Sequence, residues 1–263
     1  MSDTRIQTVI LCGGLGTRLR EETEIRPKPM VEVGGRPILW HIMKGYAVHG
    51  FTDFVICLGY KGEMIKEYFL NYEAMNNDFT VELGRPESIA FHDAHQENGW
   101  KVTLVDTGYA TMTGARVKRA SRYLTGDRFM LTYGDGVSSV DFGKLMDFHR
   151  RSGTLATVTG VRPSSRFGEL LLSGDRVAQF SEKPQTHEGV INGGFFVFER
   201  KALDYLSTDP SCVLEREPLE RLAADGQLSV YRHDGFWQCM DTFRDLQQLN
   251  QLWGSGEAAW KTW

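Results

Sequence analysis

The sequence predicts an α/β fold in which helices flank a mostly parallel, Rossmann-like sheet and the second half adds antiparallel strands. Up to about residue 160, apolar β-rich runs that end in glycine or a polar turn alternate with segments of helical spacing. Beyond that point the pattern changes to hairpin-like strands. The 263 residues, 41% of them hydrophobic, can bury a substantial core. We expect one domain, residues 1–263.

The predicted parallel strands are short apolar runs. They are QTVILCGG, DFVICLGY, FMLTYGDG and TLATVTGV. Most are followed by a segment in which apolar residues recur with helical spacing. These helical segments are PILWHIMKGYAVHG, KGEMIKEYFLNYEAM, TGARVKRASRYL and VDFGKLMDFHRRSG, the last with Asp141 as a candidate N-cap. Ligands of such sheets bind beyond the carboxyl ends of the strands, so the loops that follow these runs are the candidate site.

The second half contains the added strands and two further helices. FGELLLSGDRVAQFSEKP is typical of a hairpin around Ser173-Gly174-Asp175, and VINGGFFVFER of a further strand. EREPLERLAADGQ and TFRDLQQLNQLW have helical spacing. We expect the added strands to lie over the carboxyl edge of the parallel sheet.

Charge and cysteine usage exclude several classes of protein. The net charge of −4 argues against a nucleic-acid partner, because such proteins normally carry a broad basic face. The N-terminal apolar run is far too short to span a membrane and lacks the form of a leader, so we expect a soluble, cytoplasmic protein with no membrane partner. The 4 cysteines form no C-x-x-C, which argues against a zinc site or a disulfide framework.

The stretch ILCGGLGTRLREETEIRPKPM, residues 10–30, combines a glycine cluster with basic residues. A P-loop would need Lys-Ser or Lys-Thr after the glycines, and a dinucleotide fingerprint would need glycine where Leu19 stands. The third interpretation is a loop whose backbone N–H groups wrap a triphosphate while Thr17, Arg18 and Lys28 supply a hydroxyl and positive charge. On these residues alone, a tight turn beside solvated arginines remains equally possible.

The longer pattern favours the triphosphate loop. L-x-G-G-x-G-T-R-L at Leu11 to Leu19, followed by Lys28-Pro29, resembles the signature of the sugar-phosphate nucleotidyltransferases. Further matching segments are Tyr133-Gly134-Asp135-Gly136, Phe167-Gly168-Glu169, Glu182-Lys183-Pro184, Asn192-Gly193-Gly194 and Met240-Asp241-Thr242. More narrowly, VDTGYATMTGAR, INGGFFVF, GFWQCMDT and WKTW resemble the glucose-1-phosphate cytidylyltransferases. Cys12 departs from the family's usual Ala-Gly-Gly, but it is small enough to fit beside a nucleotide.

The resemblance implies that CTP and α-D-glucose 1-phosphate react to give CDP-glucose and pyrophosphate, as in sugar-nucleotide biosynthesis for lipopolysaccharide O-antigen. The sugar phosphate is already an anionic nucleophile near neutral pH, so an in-line attack on the α-phosphorus needs no protein base. Because both reacting groups are negative, catalysis requires positioning and positive charge. Asp135 and Asp241 are the carboxylates assigned to Mg²⁺, which binds few protein oxygens and keeps several waters.

The resemblance also assigns the other residues. The nucleotide residues are Leu11, Cys12, Gly13, Gly14, Gly16, Thr17, Arg18, Lys28, Thr111, Arg116 and Gly134. Arg18 is expected to favour the leaving phosphates and Lys28 the α-phosphate, whereas Arg20 and Arg26 are interpreted as surface residues. Catalysis is assigned to Arg18, Lys28, Asp135 and Lys183.

Base and sugar recognition fall in separate segments. Relatives that use UTP or dTTP carry Gln-Pro-x-Gly where this sequence has Thr111-Met112-Thr113-Gly114, which favours cytosine. Thr111 and Arg116 are expected to donate to the cytosine O2 and N3 acceptors. On the sugar side, Lys183 is expected to hold the phosphate, and Glu169, Asn192 and Gly193 the glucose hydroxyls.

Two other features were considered. His92-Asp93-Ala94-His95 has the spacing of a helical metal site, but its polar, turn-like surroundings favour a surface loop. The terminal EAAWKTW places two tryptophans near the chain end, which predicts their burial against another subunit and hence a homo-oligomer.

Three alternatives remain open. A cytidylyltransferase could use another sugar phosphate. A metal-dependent glycosyltransferase could also combine this kind of sheet with a bound divalent ion, although such enzymes usually carry an Asp-x-Asp pair. A catalytically silent nucleotide-binding subunit is disfavoured because both cations and both carboxylates are present.

Overall fold

A computed structural model describes residues 6–85, 88–92, 95–162, 169–173, 176–181 and 189–263, and it describes only the backbone of 169–173 and 176–181. The strands in chain order are β1 (Gln7–Cys12), β2 (Glu32–Val33), β3 (Arg36–Pro37), β4 (Asp53–Leu58), β5 (Phe79–Val81), β6 (Ile89–Phe91), β7 (Lys101–Asp106), β8 (Arg128–Tyr133), β9 (Gly136–Ser138), β10 (Ala156–Val161), β11 (Glu169–Ser173), β12 (Arg176–Ser181), β13 (Ile191–Glu199), β14 (Leu228–His233) and β15 (Trp237–Cys239).

The helices lie between these strands. They are α1 (Arg20–Thr23), α2 (Ile38–Ala47), α3 (Gly62–Leu70), α4 (Tyr72–Asn76), α5 (Thr113–Ala120), α6 (Phe142–Ser152), α7 (Glu217–Ala224) and α8 (Phe243–Gly254). Short 3₁₀ helices cover Thr17–Leu19, Lys28–Met30, Ser121–Tyr123 and Arg200–Tyr205. None of the helices in the described ranges combines the length and apolar character needed to cross a membrane.

The central sheet has the strand order β14-β10-β13-β8-β1-β4-β7. Strands β8, β1, β4 and β7 run parallel to one another, and β14 is parallel to β10. Strand β13 runs antiparallel to both β8 and β10 and so joins the two parallel groups. The predicted α/β fold, mostly parallel with added antiparallel strands, is confirmed.

Apolar side chains cover both faces of this sheet. Along β1, Ile10 and Cys12 enter one buried cluster, whereas Val9 and Leu11 enter the other. Successive side chains of a strand point to opposite faces, so a strand buried on both sides reads as a continuous apolar run. This explains why the sequence QTVILC predicts its strand so clearly.

Most predicted elements are present with small changes of boundary. The predicted N-cap is confirmed, since the Asp141 carboxylate accepts a hydrogen bond from the backbone N–H of Lys144 at 2.9 Å. The single helix expected over KGEMIKEYFLNYEAM is divided into α3 and α4 at Asn71. The hairpin strands β11 and β12 pair antiparallel as predicted, while the turn residues Gly174 and Asp175 lie outside the described residues.

The elements missed from the sequence are short strands and edge strands. They include the ribbons β2–β3, β5–β6 and β9–β15, and the edge strands β7 and β14. A two- or three-residue strand carries too little periodicity to be recognised, and its pairing depends on a partner supplied by the fold.

The C-terminal tryptophans pack within the chain itself. Trp260 is 2% exposed and stacks on Phe236 with a ring separation of 5.4 Å, and Trp263 meets Trp40 edge-on at 5.7 Å. The expectation that another subunit buries these side chains is therefore wrong for Trp260, whereas Trp263 is half-buried within its own chain. The homo-oligomer stays a prediction, now without this argument.

His41 is a buried, neutral histidine beneath this tail. Its Nε2 lies 2.8 Å from the Val33 carbonyl oxygen, and the Trp260 indole N–H donates to Nδ1 at 3.4 Å. Nε2 must therefore carry the proton while Nδ1 accepts. Burial lowers the pKa of His41 from 6.5 to about 4, with the Val33 contact opposing the shift.

Acid is expected to destabilise the protein through His41. The ordinary pKa of 6.5 applies to the unfolded chain, and the pKa of about 4 applies to the native state. Between these two values the unfolded chain binds a proton that the native state excludes. The contribution of His41 to stability is therefore fully present above pH 6.5 and is lost as the pH falls towards 4. From about pH 7 to about pH 5, this contributes a loss of about 2 kcal/mol in the free energy of unfolding. Urea unfolding of wild type and His41→Gln at both pH values measures it. Equal pH dependence in the two proteins would show that His41 does not contribute.

Candidate active site

A cavity of about 490 Å³ opens where β1 and β8 end, bounded on the other side by the start of α5. Its wall includes every residue that the sequence assigned to the nucleotide. These are Leu11, Cys12, Gly13, Gly14, Gly16, Thr17, Arg18, Lys28, Thr111, Arg116 and Gly134. Asp135 and Asp241 also line it. Residues from four separate parts of the chain thus meet at the carboxyl edge of the sheet, as expected for this fold.

The glycine loop turns sharply between β1 and the first 3₁₀ helix. Gly16 has a φ of +64°, and a Cβ there would lie 2.7 Å from the Thr23 Cγ2 atom, so a larger residue would be strained and crowded. At Gly14, by contrast, a Cβ would meet no atom of the described residues within 4 Å. The Gly14 backbone is therefore open to a ligand.

Arg116 links the glycine loop to neighbouring segments by hydrogen bonds. Its guanidinium donates to the carbonyl oxygens of Gly13 and Leu58, both at 2.9 Å, and it also bonds the segment at residues 107–109. A Cβ at Gly13 would lie 2.2 Å from the Arg116 Cζ atom, so a larger residue there would displace the guanidinium. Burial lowers the pKa of Arg116, which is 4% exposed.

These contacts alter the predicted role of Arg116. Both terminal nitrogens already donate to protein oxygens, so the geometry favours positioning of the loop over direct reading of cytosine. Thr111 remains a candidate base reader. Its hydroxyl oxygen accepts from Arg119 at 2.9 Å, and its own proton can still be donated to a ligand.

Two ribbon strands bring the candidate metal ligands together. Asp135 lies between β8 and β9, and Asp241 follows β15. Because β9 pairs with β15, Gly136 faces Cys239, and the Met240 N–H donates to the Asp135 carbonyl oxygen at 2.9 Å. This pairing places the two carboxylates on the same side of the cavity.

Lys28 bridges the two carboxylates. Its Nζ lies 2.7 Å from Asp135 Oδ2 and 2.7 Å from Asp241 Oδ1. Burial by itself would lower the pKa of Lys28, but the two carboxylates outweigh burial and raise it above its ordinary value. Arg18 reaches Asp241 Oδ2 at 2.8 Å with a side chain that is 71% exposed. Cations and carboxylates therefore alternate across the cavity.

The site fits a divalent cation. The Lys28 ammonium occupies a position within hydrogen-bonding distance of both carboxylates, so a cation at that position contacts both. Carboxylate oxygens are also the kind of ligand that Mg²⁺ prefers. Within the described residues, no cluster of three or more His, Cys, Asp and Glu side chains could hold a metal. A metal here would hence take two protein carboxylates and complete its shell with water and phosphate oxygens.

The sequence matches the model of one protein family, described as nucleotidyl transferase, over residues 7–254. The chain belongs to the nucleotidyl transferase family. The resemblance found in the glycine loop and the downstream motifs is therefore confirmed.

Named relatives narrow the comparison. This nucleotidyl transferase is 49% identical over 259 residues to a glucose-1-phosphate cytidylyltransferase from Salmonella typhi, covering 98% of this chain and 100% of the relative. It is 44% identical, with the same coverages, to a Bacillus subtilis protein named "Probable glucose-1-phosphate cytidylyltransferase". Among solved structures, HddC from Yersinia pseudotuberculosis superposes with a TM-score of 0.69 at 22% identity, covering 94% of this chain and 99% of that one, which supports the fold.

The segments that the sequence analysis assigns to the sugar phosphate are described in part. Asn192 lies at the exposed start of β13, and the Trp237 indole N–H donates to the Gly193 carbonyl oxygen at 2.8 Å. Trp237 therefore packs beside the Asn192-Gly193 segment. Lys183 lies outside the described residues, and for Glu169 only the backbone at the start of β11 is described. Their predicted contacts with the sugar phosphate stay predictions.

The two histidines of His92-Asp93-Ala94-His95 contact different side chains in the described part of the chain. His92 contacts the Thr80 hydroxyl at 2.8 Å, whereas His95 contacts the Glu73 carboxylate at 2.9 Å. The two side chains thus have different partners. Asp93 and Ala94 between them lie outside the described residues.

Sequence reasoning missed several residues of the cavity. Tyr133 and Thr113 line it and share a contact with Glu215. Tyr133 is part of the Tyr-Gly-Asp-Gly motif, and its position at the end of an apolar run is a sequence signal for a residue at the carboxyl edge of the sheet. Glu215 belongs to no motif, so its position next to the cavity became visible only in the folded chain.

Proposed function

We propose that this nucleotidyl transferase transfers the cytidylyl group of CTP to α-D-glucose 1-phosphate, giving CDP-glucose and pyrophosphate. The observation that carries the proposal is the cavity in which an open glycine loop faces Lys28, Asp135 and Asp241. A triphosphate fits such a site, because backbone N–H groups and cations surround it while the carboxylates can share a metal. The names of the relatives at 49% and 44% identity support the choice of both substrates.

The chemistry follows from charge. The phosphate oxygen of the sugar attacks the α-phosphorus of CTP and the bond to the pyrophosphate oxygen breaks, so no proton has to move. Arg18, whose side chain is 71% exposed, neutralises the leaving phosphates, and Lys28 neutralises the α-phosphate. Asp135 and Asp241 would hold Mg²⁺, which supplies further charge stabilisation when bound.

Nucleotide choice depends on the donors that meet the base. The N3 atom of cytosine accepts a hydrogen bond, whereas N3 of uracil donates one. The Thr111 hydroxyl, which lies in the cavity wall and accepts from Arg119, can donate to N3 of cytosine and so matches CTP. Backbone N–H groups of the glycine loop are expected to complete the selection.

A panel of sugar phosphates with CTP tests the proposed reaction. Glucose 1-phosphate is expected to give CDP-glucose and pyrophosphate faster than its epimers do, and CTP to be preferred over UTP by about tenfold or more. Faster reaction of another sugar 1-phosphate would reassign the acceptor. The reverse direction tests the alternative class: labelled pyrophosphate plus CDP-glucose returns label to CTP in a nucleotidyl transferase, and a glycosyltransferase would not do this.

Arg116→Ala is expected to weaken the use of CTP and UTP equally. The substitution removes the contacts that hold the glycine loop, so kcat/KM should fall by about tenfold or more for either nucleotide, and the thermal unfolding midpoint should also fall. Steady-state rates with both nucleotides decide the role. If the ratio of kcat/KM for CTP to kcat/KM for UTP fell markedly in the variant, Arg116 would instead contact the cytosine base directly.

A further inference from the structure

Glu215 connects the two sides of the cavity. Its Oε1 accepts a hydrogen bond from the Tyr133 hydroxyl at 2.5 Å, and its Oε2 accepts one from the Thr113 hydroxyl at 2.6 Å. Tyr133 ends β8 beside Asp135, and Thr113 begins α5 beside the candidate base reader Thr111. A single exposed carboxylate thus ties the central sheet to the helix that walls the nucleotide side.

The contact between Glu215 and Tyr133 determines where the tyrosine proton points. Because Tyr133 donates to the carboxylate, its oxygen is left as an acceptor, and the Asn192 Nδ2 donates to it at 3.3 Å. The direction of each hydrogen bond in this chain is therefore defined.

Both ends of the Asn192 amide are then fixed. Its Oδ1 accepts from the Gly194 N–H at 2.8 Å while its Nδ2 faces Tyr133. The Gly193 carbonyl between them is held by Trp237. Without the carboxylate, the Tyr133 proton would be free to turn towards Asn192, and a second donor would then face the amide nitrogen. The orientation of Asn192 depends on Glu215 even though the two side chains make no direct hydrogen bond in the described contacts.

We propose that Glu215 is a positioning residue that acts through Tyr133 to orient Asn192 for the hydroxyl groups of the sugar. This inference rests on the proposed function, in which Asn192 contacts the sugar. The contact with Thr113 holds the start of α5 at the same time, so a change at Glu215 also reaches the nucleotide side. Removal of the Tyr133 hydroxyl breaks the hydrogen bonds that link Glu215 to Asn192 and leaves the contact between Glu215 and Thr113 in place.

Kinetics of two variants and one control test the proposal. Tyr133→Phe is expected to raise the KM for glucose 1-phosphate by about fivefold to tenfold and to leave the KM for CTP within about twofold. Glu215→Ala should raise the KM for glucose 1-phosphate to the same extent. Glu215→Gln, which retains one acceptor oxygen, should raise this KM by less. Glu217→Gln is the control, since that exposed carboxylate pairs with Arg221 at 3.4 Å. In Tyr133→Phe, equal effects on the KM values for CTP and for glucose 1-phosphate, or no effect on either, would overturn the proposal.

A crystal structure of Glu215→Ala provides a readout that does not require activity. The Asn192 amide is expected to turn away from Tyr133, whereas an unchanged Asn192 would overturn the inference. Wild-type product formation in the same series reports on the proposed function separately. If wild type makes no CDP-glucose, the proposed function fails, and the orientation of Asn192 in this structure still decides the role of Glu215.

Discussion

Asp135→Asn and Asp241→Asn are each expected to lower turnover by about a hundredfold or more. Both carboxylates address the same cation position, now marked by the Lys28 ammonium at 2.7 Å from each. An amide has the shape of the carboxylate but no charge, so it weakens both metal binding and the balance of charge around the triphosphate. The effect should be large because the reaction brings two anions together.

The measurement is kcat as a function of Mg²⁺ concentration, together with direct binding of Mn²⁺ to the protein with a CTP analogue. Asp147→Asn is a matched control, because that carboxylate lies on α6 and pairs only at the surface with Arg150 at 3.2 Å. If one of the two variants keeps near-normal turnover at ordinary Mg²⁺ concentrations, that residue is not a ligand. Normal Mn²⁺ binding in both would move the metal elsewhere.

Lys28→Met should produce the second large effect, a fall in kcat of about a hundredfold with a higher KM for CTP. The ammonium is a compact charge that reaches two carboxylates with a side chain that is 11% exposed. Its loss removes the cation that lies between Asp135 and Asp241 and leaves the exposed Arg18 as a weaker partner of Asp241, so the free protein should also be less stable. Lys28→Arg is expected to rescue little, because a planar guanidinium does not fit the same buried position.

A stability measurement separates this role from catalysis. Mg²⁺ alone should raise the thermal unfolding midpoint of Lys28→Met more than that of wild type, because the metal replaces the lost ammonium between the carboxylates. An equal rise in both proteins would argue that Lys28 and the metal do not share this position. Lys183→Ala is the complementary change predicted from the sequence, and its main effect should be on the KM for glucose 1-phosphate.

The sequence by itself determined the class of fold and the glycine-loop residues that line the cavity. The run QTVILC reads as a strand because both of its faces are buried, and the glycines after it mark a sharp turn at the carboxyl edge. These are local properties, since a strand buried on two sides and a glycine at positive φ each leave a signal in consecutive residues. The motifs that follow later strands could be assigned to the same edge because parallel strands end on one side.

Only the tertiary structure decided which side chains meet inside the site. Arg116 was predicted to reach the base, but the order of β1 and β4 places the carbonyls of Gly13 and Leu58 within its reach. Trp260 was expected to need another subunit, yet α2 and the residues before α8 bury it within its own chain. The position of Lys28 between two carboxylates, and that of Glu215 between two hydroxyl groups, are also set by the tertiary structure. Such contacts join residues far apart in sequence, and their partners are set by strand order and register, which short-range patterns do not encode.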